Sequence, residues 1–329
     1  MIANTAGLRA SPMRGLAGSL VAVAVLALAA CGSPSDSPSG GGDWSRPIEF
    51  RQGQPVTATL VNSRLAVGSS RLIFGLFGAD GSMIHGAASA HLRLYTLDDD
   101  SSTLALEGEL RPSSLVEEFD HVHEDGSIHV HRDPIVTLWR ETVDLTRAGW
   151  WGAELAVTVD GERQEGLRIR FFVVEEASEP AVGDPAPRTR QPVLADGRDI
   201  ASLSTAQPPN PEMHERTVAE ALELGRPVVV AFATPAFCRT RYCGPVLEQV
   251  VTPLAERYAG RVEFVHIEPY DLERLRSESV FATVPAMEEW GLGTEPWVFV
   301  VDAGGRIAAK FEGVLSQEEL EEVLDRLGA

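Results

Sequence analysis

Cys238 and Cys243 stand in the stretch FATPAFCRTRYCGPVLEQV, residues 232–250, the one place in this 329-residue chain where two thiols can meet. Two thiols joined by a short loop can do redox chemistry: one attacks a disulfide as its thiolate, and the other displaces the mixed disulfide that results. Four residues separate them. Inside one helix, an i, i+5 pair would be displaced by about 7.5 Å and roughly 140° apart, beyond unstrained S–S geometry. Cys238 therefore belongs to a loop. Cys243 belongs to the start of a helix that Gly244 and Pro245 open and that Leu247, Val250, Val251 and Leu254 continue at helical spacing. The free N–H groups of that helix start, with Arg239 and Arg241 close in sequence, favour a thiolate at Cys243; in a second register the nucleophile is Cys238.

A second set of chemistry-bearing residues lies in FDHVHEDGSIHVHRD, residues 119–133, where His121, His123, His129 and His131 flank Glu124-Asp125-Gly126. A hairpin with a three-residue turn pairs His121 with His129 and puts all four imidazoles on one face, whereas a two-residue turn splits them. On one face they are a ligand set for Cu(II) or Zn(II), with Asp120, Glu124 or Asp125 supplying an oxygen. The plainer alternative is the solvent face of an ordinary hairpin, the histidines alternating with Val122, Ile128 and Val130. His214 and His266 are expected to be structural. The thiol chemistry needs no cofactor; copper or zinc is the optional one.

The elements around the cysteines follow from patterning. Residues 227–232 have the length and valine content of a strand buried on both faces, ending where the cysteine loop begins. Residues 261–267 form the next strand, parallel to it, and helices are expected over 213–224, 286–290 and 317–327. Upstream, VTATLV, RLIFGLF, HLRLYTL, TLALEGEL, IVTLWRETV, AELAVTV and LRIRFFVV are short alternating runs parted by turn residues, the pattern of an antiparallel sandwich. A Pro-rich connection, 179–212, separates the two regions.

Strand, aromatic-Cys-Gly-Pro and helix, followed by TEPWVFVVDAGGRIAAKFEG at residues 294–313, resemble the thioredoxin superfamily. The resemblance covers roughly the last 115 residues, about one domain. It implies that Pro296 is a cis-proline facing Cys238 and Cys243, and that their role is thiol–disulfide exchange. The family separates its cysteines by two residues; here four intervene, and Val246 takes the place of the second thiol if Cys243 is aligned on the first. Sco-type copper carriers keep a later loop histidine, but none follows His266 here. AGWWGAELAV, residues 148–157, resembles the closing strands of immunoglobulin-like domains of exported lipoproteins.

At the start, Arg9 and Arg14 precede an apolar run, 20–30, that ends in LAAC with Cys31. The run is too short to span a bilayer. With the Gly/Ser/Pro-rich stretch that follows, it resembles a bacterial lipoprotein signal, Cys31 carrying the lipid. Lipidation of Cys31 leaves an even pair of cysteines outside the cytoplasm, where disulfides persist. A net charge of −20 argues against nucleic acid and anionic lipid surfaces as partners.

The expected fold class is multidomain, an N-terminal all-β immunoglobulin-like sandwich plus a C-terminal α/β thioredoxin-like domain. The expected divisions are a signal peptide over 1–30, a flexible tether over 31–46, the sandwich over 47–178, the linker over 179–212 and the thioredoxin-like domain over 213–329. The expected function is thiol–disulfide exchange at Cys238, Cys243 and Pro296, with exported thiols or disulfides as partners. The location is the bacterial cell envelope, lipid-anchored on the outer face of the cytoplasmic membrane or in the periplasm. The alternatives are a copper- or zinc-binding lipoprotein using the His121 to His131 hairpin, or an interaction module whose disulfide is a structural staple.

Overall fold

The computed structural model describes Trp44 and residues 55–122 and 128–329; for Ala88, 118–122 and 128–132 it describes the backbone alone. The expected signal peptide, Cys31 and nearly all of the tether lie outside the described residues. No helix among the described residues is long and apolar enough to cross a membrane.

In chain order the strands are β1 (Val56–Leu60), β2 (Leu65–Ala66), β3 (Gly68–Gly78), β4 (Ala87–Leu97), β5 (Ser102–Glu109), β6 (Arg111–Val122) and β7 (Ile128–Leu145). They continue with β8 (Gly149–Val159), β9 (Glu162–Val174), β10 (Val228–Phe232), β11 (Glu263–Ile267), β12 (Trp297–Val301) and β13 (Ile307–Glu312). The first sheet has the order β1-β3-β7-β6 and is antiparallel throughout. The second, β2-β9-β8-β4-β5, is antiparallel except where β2 lies parallel to β9. The two enclose Leu72, Phe74, Leu92, Trp139 and Trp151. In the third, β11-β10-β12-β13, β10 runs parallel to β11 and β12 is antiparallel to both of its neighbours.

This corrects the expected fold class. The described residues form one compact unit rather than a sandwich and a separate α/β domain, and strands dominate it. The helical segments run from three to ten residues, some joined end to end. The physical reason lies in the first sheet, which is covered on both faces. In β3, residues 72 to 76 are buried without interruption. Leu72, Phe74 and Leu76 pack with the second sheet, whereas Ile73 joins Leu115, Val136 and Leu138 in one apolar cluster with Val246, Val250 and Leu254. A face meant for water would carry polar side chains at those positions. The run RLIFGLF was an unbroken apolar strand, the mark of burial on both sides, and not half of an alternating pair.

Polar contacts join the same layers. The C-terminal helix, Gln317–Arg326, starts at Ser316, whose hydroxyl accepts the Glu319 N–H while Glu319 accepts the Ser316 N–H. Glu319, 3% exposed, also pairs with Arg71 of β3 at 2.8 Å and accepts the Ser113 hydroxyl of β6 at 2.5 Å. Arg140 of β7 brings its Nε to 3.0 Å, an ion-pair distance without hydrogen-bond alignment.

The Pro-rich connection lies along the third sheet: Pro185 bridges Arg306, and the Ala186 N–H donates to Gly305 O. Gly291 lets the chain pass. Its φ is +63°, and a Cβ there would stand 1.9 Å from Ser178 O, so no other residue fits.

Candidate functional site

Strand β10 is Val228-Val229-Val230-Ala231-Phe232, every side chain fully buried. Val229 and Ala231 pack into one apolar cluster and Val228, Val230 and Phe232 into another, as an inner strand covered on both faces requires. Helix α1 (Val218–Glu223), capped by Thr217 with Glu220, leads into it. A loop then carries Cys238, and Cys243 opens helix α2 (Cys243–Val246). That helix runs on through a π turn, Leu247–Val251, into α3 (Thr252–Arg257), where Pro253 can offer no N–H to the ladder.

The loop curls so that one sulfur caps the helix that begins with the other. Arg241 takes a left-handed conformation, φ +68°, which costs energy for a residue with a side chain. The turn brings the Cys238 Sγ to 3.2 Å from the Cys243 N, whose N–H donates to it, and to 3.2 Å from the Thr240 Oγ1. The neighbouring Cys243 side chain above all lowers the Cys238 pKa to about 5, against the desolvation that would raise it. The Cys243 thiol moves the other way, raised first by the Cys238 side chain and then by its burial. Cys238 is half-buried and Cys243 wholly buried.

Of the two registers open in the sequence, these contacts favour the one with Cys238 as the thiolate. The N–H that a helix start leaves unpaired points out of the helix, toward the residue preceding it in space, and not toward the side chain of its own first residue.

Pro296, the third expected site residue, reaches this loop through its neighbour. The Glu295–Pro296 peptide bond is cis and leads into β12. Glu295, 7% exposed, accepts the Arg239 N–H at 3.4 Å and the Tyr270 hydroxyl at 3.1 Å. Burial first, and then the charge of Glu295, pushes the Tyr270 phenol up to about 12, and the same carboxylate adds to the rise at Cys243. Glu295 and Tyr270 went unnoticed in the sequence because nothing local marks a carboxylate before a proline as buried.

The expected metal cluster falls largely outside the described residues. The β6–β7 register pairs His121 with His129 and Phe119 with His131, the alignment that a three-residue turn requires. His123 and the Glu124-Asp125-Gly126 turn are outside the described residues, as are the side chains of His121, His129 and His131. Among the described residues no group of three or more His, Cys, Asp or Glu is arranged to hold a metal ion.

His214 and His266 form a buried pair with their ring nitrogens 3.2 Å apart. His266 Nε2 donates to Ala233 O, so its Nδ1 is bare and accepts the Nε2–H of His214. Burial, then the neighbouring ring, lowers His214 to about 3; burial likewise lowers His266. Both rings stay neutral when folded but protonate near 6.5 when unfolded. Their stability contribution is complete above 6.5 and is lost as the pH falls from there toward 3. In His214→Gln the slope of thermal stability between roughly pH 6.5 and 4 is expected to flatten. An unchanged slope would remove the pair from that account.

No family model matches this chain, and no curated protein matches it in sequence.

Proposed function

We propose that this protein carries out thiol–disulfide exchange with Cys238 as the nucleophile and Cys243 as the resolving thiol. What carries the reading is a half-buried sulfur that receives the N–H of Cys243 at the start of a helix. A thiol with a pKa of about 5 is almost wholly thiolate at neutral pH. The resemblance of residues 294–313 to the thioredoxin superfamily supports the same chemistry. So does the hydrogen bond that ties Glu295, next to Pro296, to the cysteine loop.

In the first step the Cys238 thiolate attacks one sulfur of a partner's disulfide. A bond forms between Cys238 and that sulfur, the partner's S–S bond breaks, and the partner's other sulfur leaves as a thiolate that water protonates. Cys238 is now neutral. Cys243 loses the like charge that kept its proton on, and its pKa falls. Cys243 gives its proton to water and attacks the Cys238 sulfur. That releases the partner as a dithiol and leaves a Cys238–Cys243 disulfide. Because a stabilised thiolate weights the equilibrium toward the dithiol form, the reverse sequence is favoured, the oxidised protein passing its disulfide to a partner's two thiols. The partners we propose are exported proteins met at the bacterial cell envelope, the chain being held there by lipid on Cys31.

Trapping tests the assignment. Cys243→Ser, incubated with a disulfide-bonded protein substrate, is expected to accumulate a mixed disulfide through Cys238 because nothing resolves it. Absence of an adduct, or an equal yield in Cys238→Ser, contradicts the proposal and favours a structural role for the pair.

A further inference from the structure

The outer face of the second sheet carries an aromatic ring that its own strands do not supply. Trp44 precedes β1, yet its indole lies on β8 at Gly152. Trp151 and Ala153, on either side of Gly152, belong to the apolar cluster between the sheets, so position 152 faces outward. A Cβ at Gly152 would stand 2.4 to 2.7 Å from three carbons of the indole, closer than side chains approach. The Gly152 φ is not in the left-handed region, so the backbone does not require glycine there; the ring does.

Two other strands complete the slot. Tyr95 of β4 lies opposite Gly152, with its ring centroid 5.4 Å from that of Trp44, and is 6% exposed although it is outside the cluster between the sheets. Arg168 of β9 holds its guanidinium 5.3 Å from the indole centroid, a cation–π contact, while its Nε donates to Glu154 at 2.5 Å. The indole Nε1 is buried with no hydrogen-bond partner. Shape and the guanidinium hold the ring in place. The sulfurs lie elsewhere: Val246 and Val250, in the helical run that Cys243 opens, pack on the opposite face of the first sheet from the second sheet.

We infer that Trp44 is a latch, which pins the chain at that point to the outer face of the second sheet, across the first sheet from the two sulfurs. The inference goes beyond the exchange reaction and uses from the proposed function the lipid on Cys31 alone. From position 31 to position 44 is thirteen residues, a reach of at most about 45 Å. From position 31 to β1 at position 56 is twenty-five, roughly 85 Å if the ring were free. The latch therefore halves the play of the anchored molecule and keeps the strap to the membrane clear of the thiol site.

The indole N–H resonances of the full chain labelled with nitrogen-15 test this. The chain has six tryptophans, and the Trp44 signal is the one that Trp44→Phe removes. In the wild type it is expected away from its position in urea and slow to exchange its proton with water, since Nε1 is buried. Gly152→Val, a residue that strands accept, should send it to the urea position while the signals of buried Trp139 and Trp290 stay in place. Arg168→Ala, which uncovers the slot without filling it, should speed the proton exchange by about two- to fivefold. A wild-type Trp44 signal at the urea position, or one that Gly152→Val leaves unmoved, overturns the inference. Disulfide exchange in solution is expected to be the same in all three variants, so the two proposals stand or fall separately.

Discussion

Replacing Cys238 with serine is expected to reduce disulfide exchange to background, because a hydroxyl offers neither a thiolate nor a sulfur for the mixed disulfide. Cys243→Ser differs in kind. It keeps the Cys243 position's N–H to the Cys238 sulfur and an O–H in place of the S–H, so the first attack survives while turnover stops. A stopped assay of substrate thiol release separates the two: one burst per molecule in Cys243→Ser, none in Cys238→Ser. Because Cys238 is half-buried on a loop, its loss leaves the core intact, and the melting temperature is expected to change little. Equal activity in the two variants would contradict the division of roles.

The second large effect concerns stability. Glu319→Ala is expected to cost about 3–5 kcal/mol, since it leaves Arg71 a buried charge without its counter-ion and Arg140 with only Glu322, at 3.9 Å. Arg71 is 7% exposed and Arg140 12%, so water compensates little. The sign with pH follows. Burial raises the Glu319 pKa, but Arg71, Ser113 and Arg140 outweigh it and hold the carboxyl below its ordinary 4.5. The unfolded chain therefore takes up this proton first as acid is added. The contribution is complete above pH 4.5 and is lost as the pH falls through the folded value. Urea unfolding of the wild type and Glu319→Ala at neutral and acid pH checks both parts. The two curves should converge in acid; a difference below about 1 kcal/mol at neutral pH would mean the cluster is worth no more than a surface pair.

Sequence patterning was informative where one chemical signal had one structural reading. Five consecutive apolar residues from Val228 to Phe232 gave the buried strand, and the impossibility of an i, i+5 disulfide inside a helix put Cys238 in a loop. Long-range packing was not legible. Ile73, Val136 and Leu138 looked like one side of a sandwich, and nothing near them in sequence says that helix residues such as Val250 and Leu254 cover their other side. For the same reason the chain was divided where the structure is continuous. Nothing near Glu319 in sequence hints that two arginines more than 170 positions earlier converge on it. At the cysteines the helix start was legible and two registers were left open; which sulfur the first N–H meets depends on how the loop folds, and here it meets Cys238.

The ultraviolet absorbance of the thiolate, followed against pH in the reduced protein, tests the central claim most directly. A midpoint near 5 is predicted for the wild type, moving up toward the ordinary range near 8.5 in Cys243→Ala, where the neighbouring thiol is gone. A wild-type midpoint already in the ordinary range, unmoved by Cys243→Ala, would contradict it.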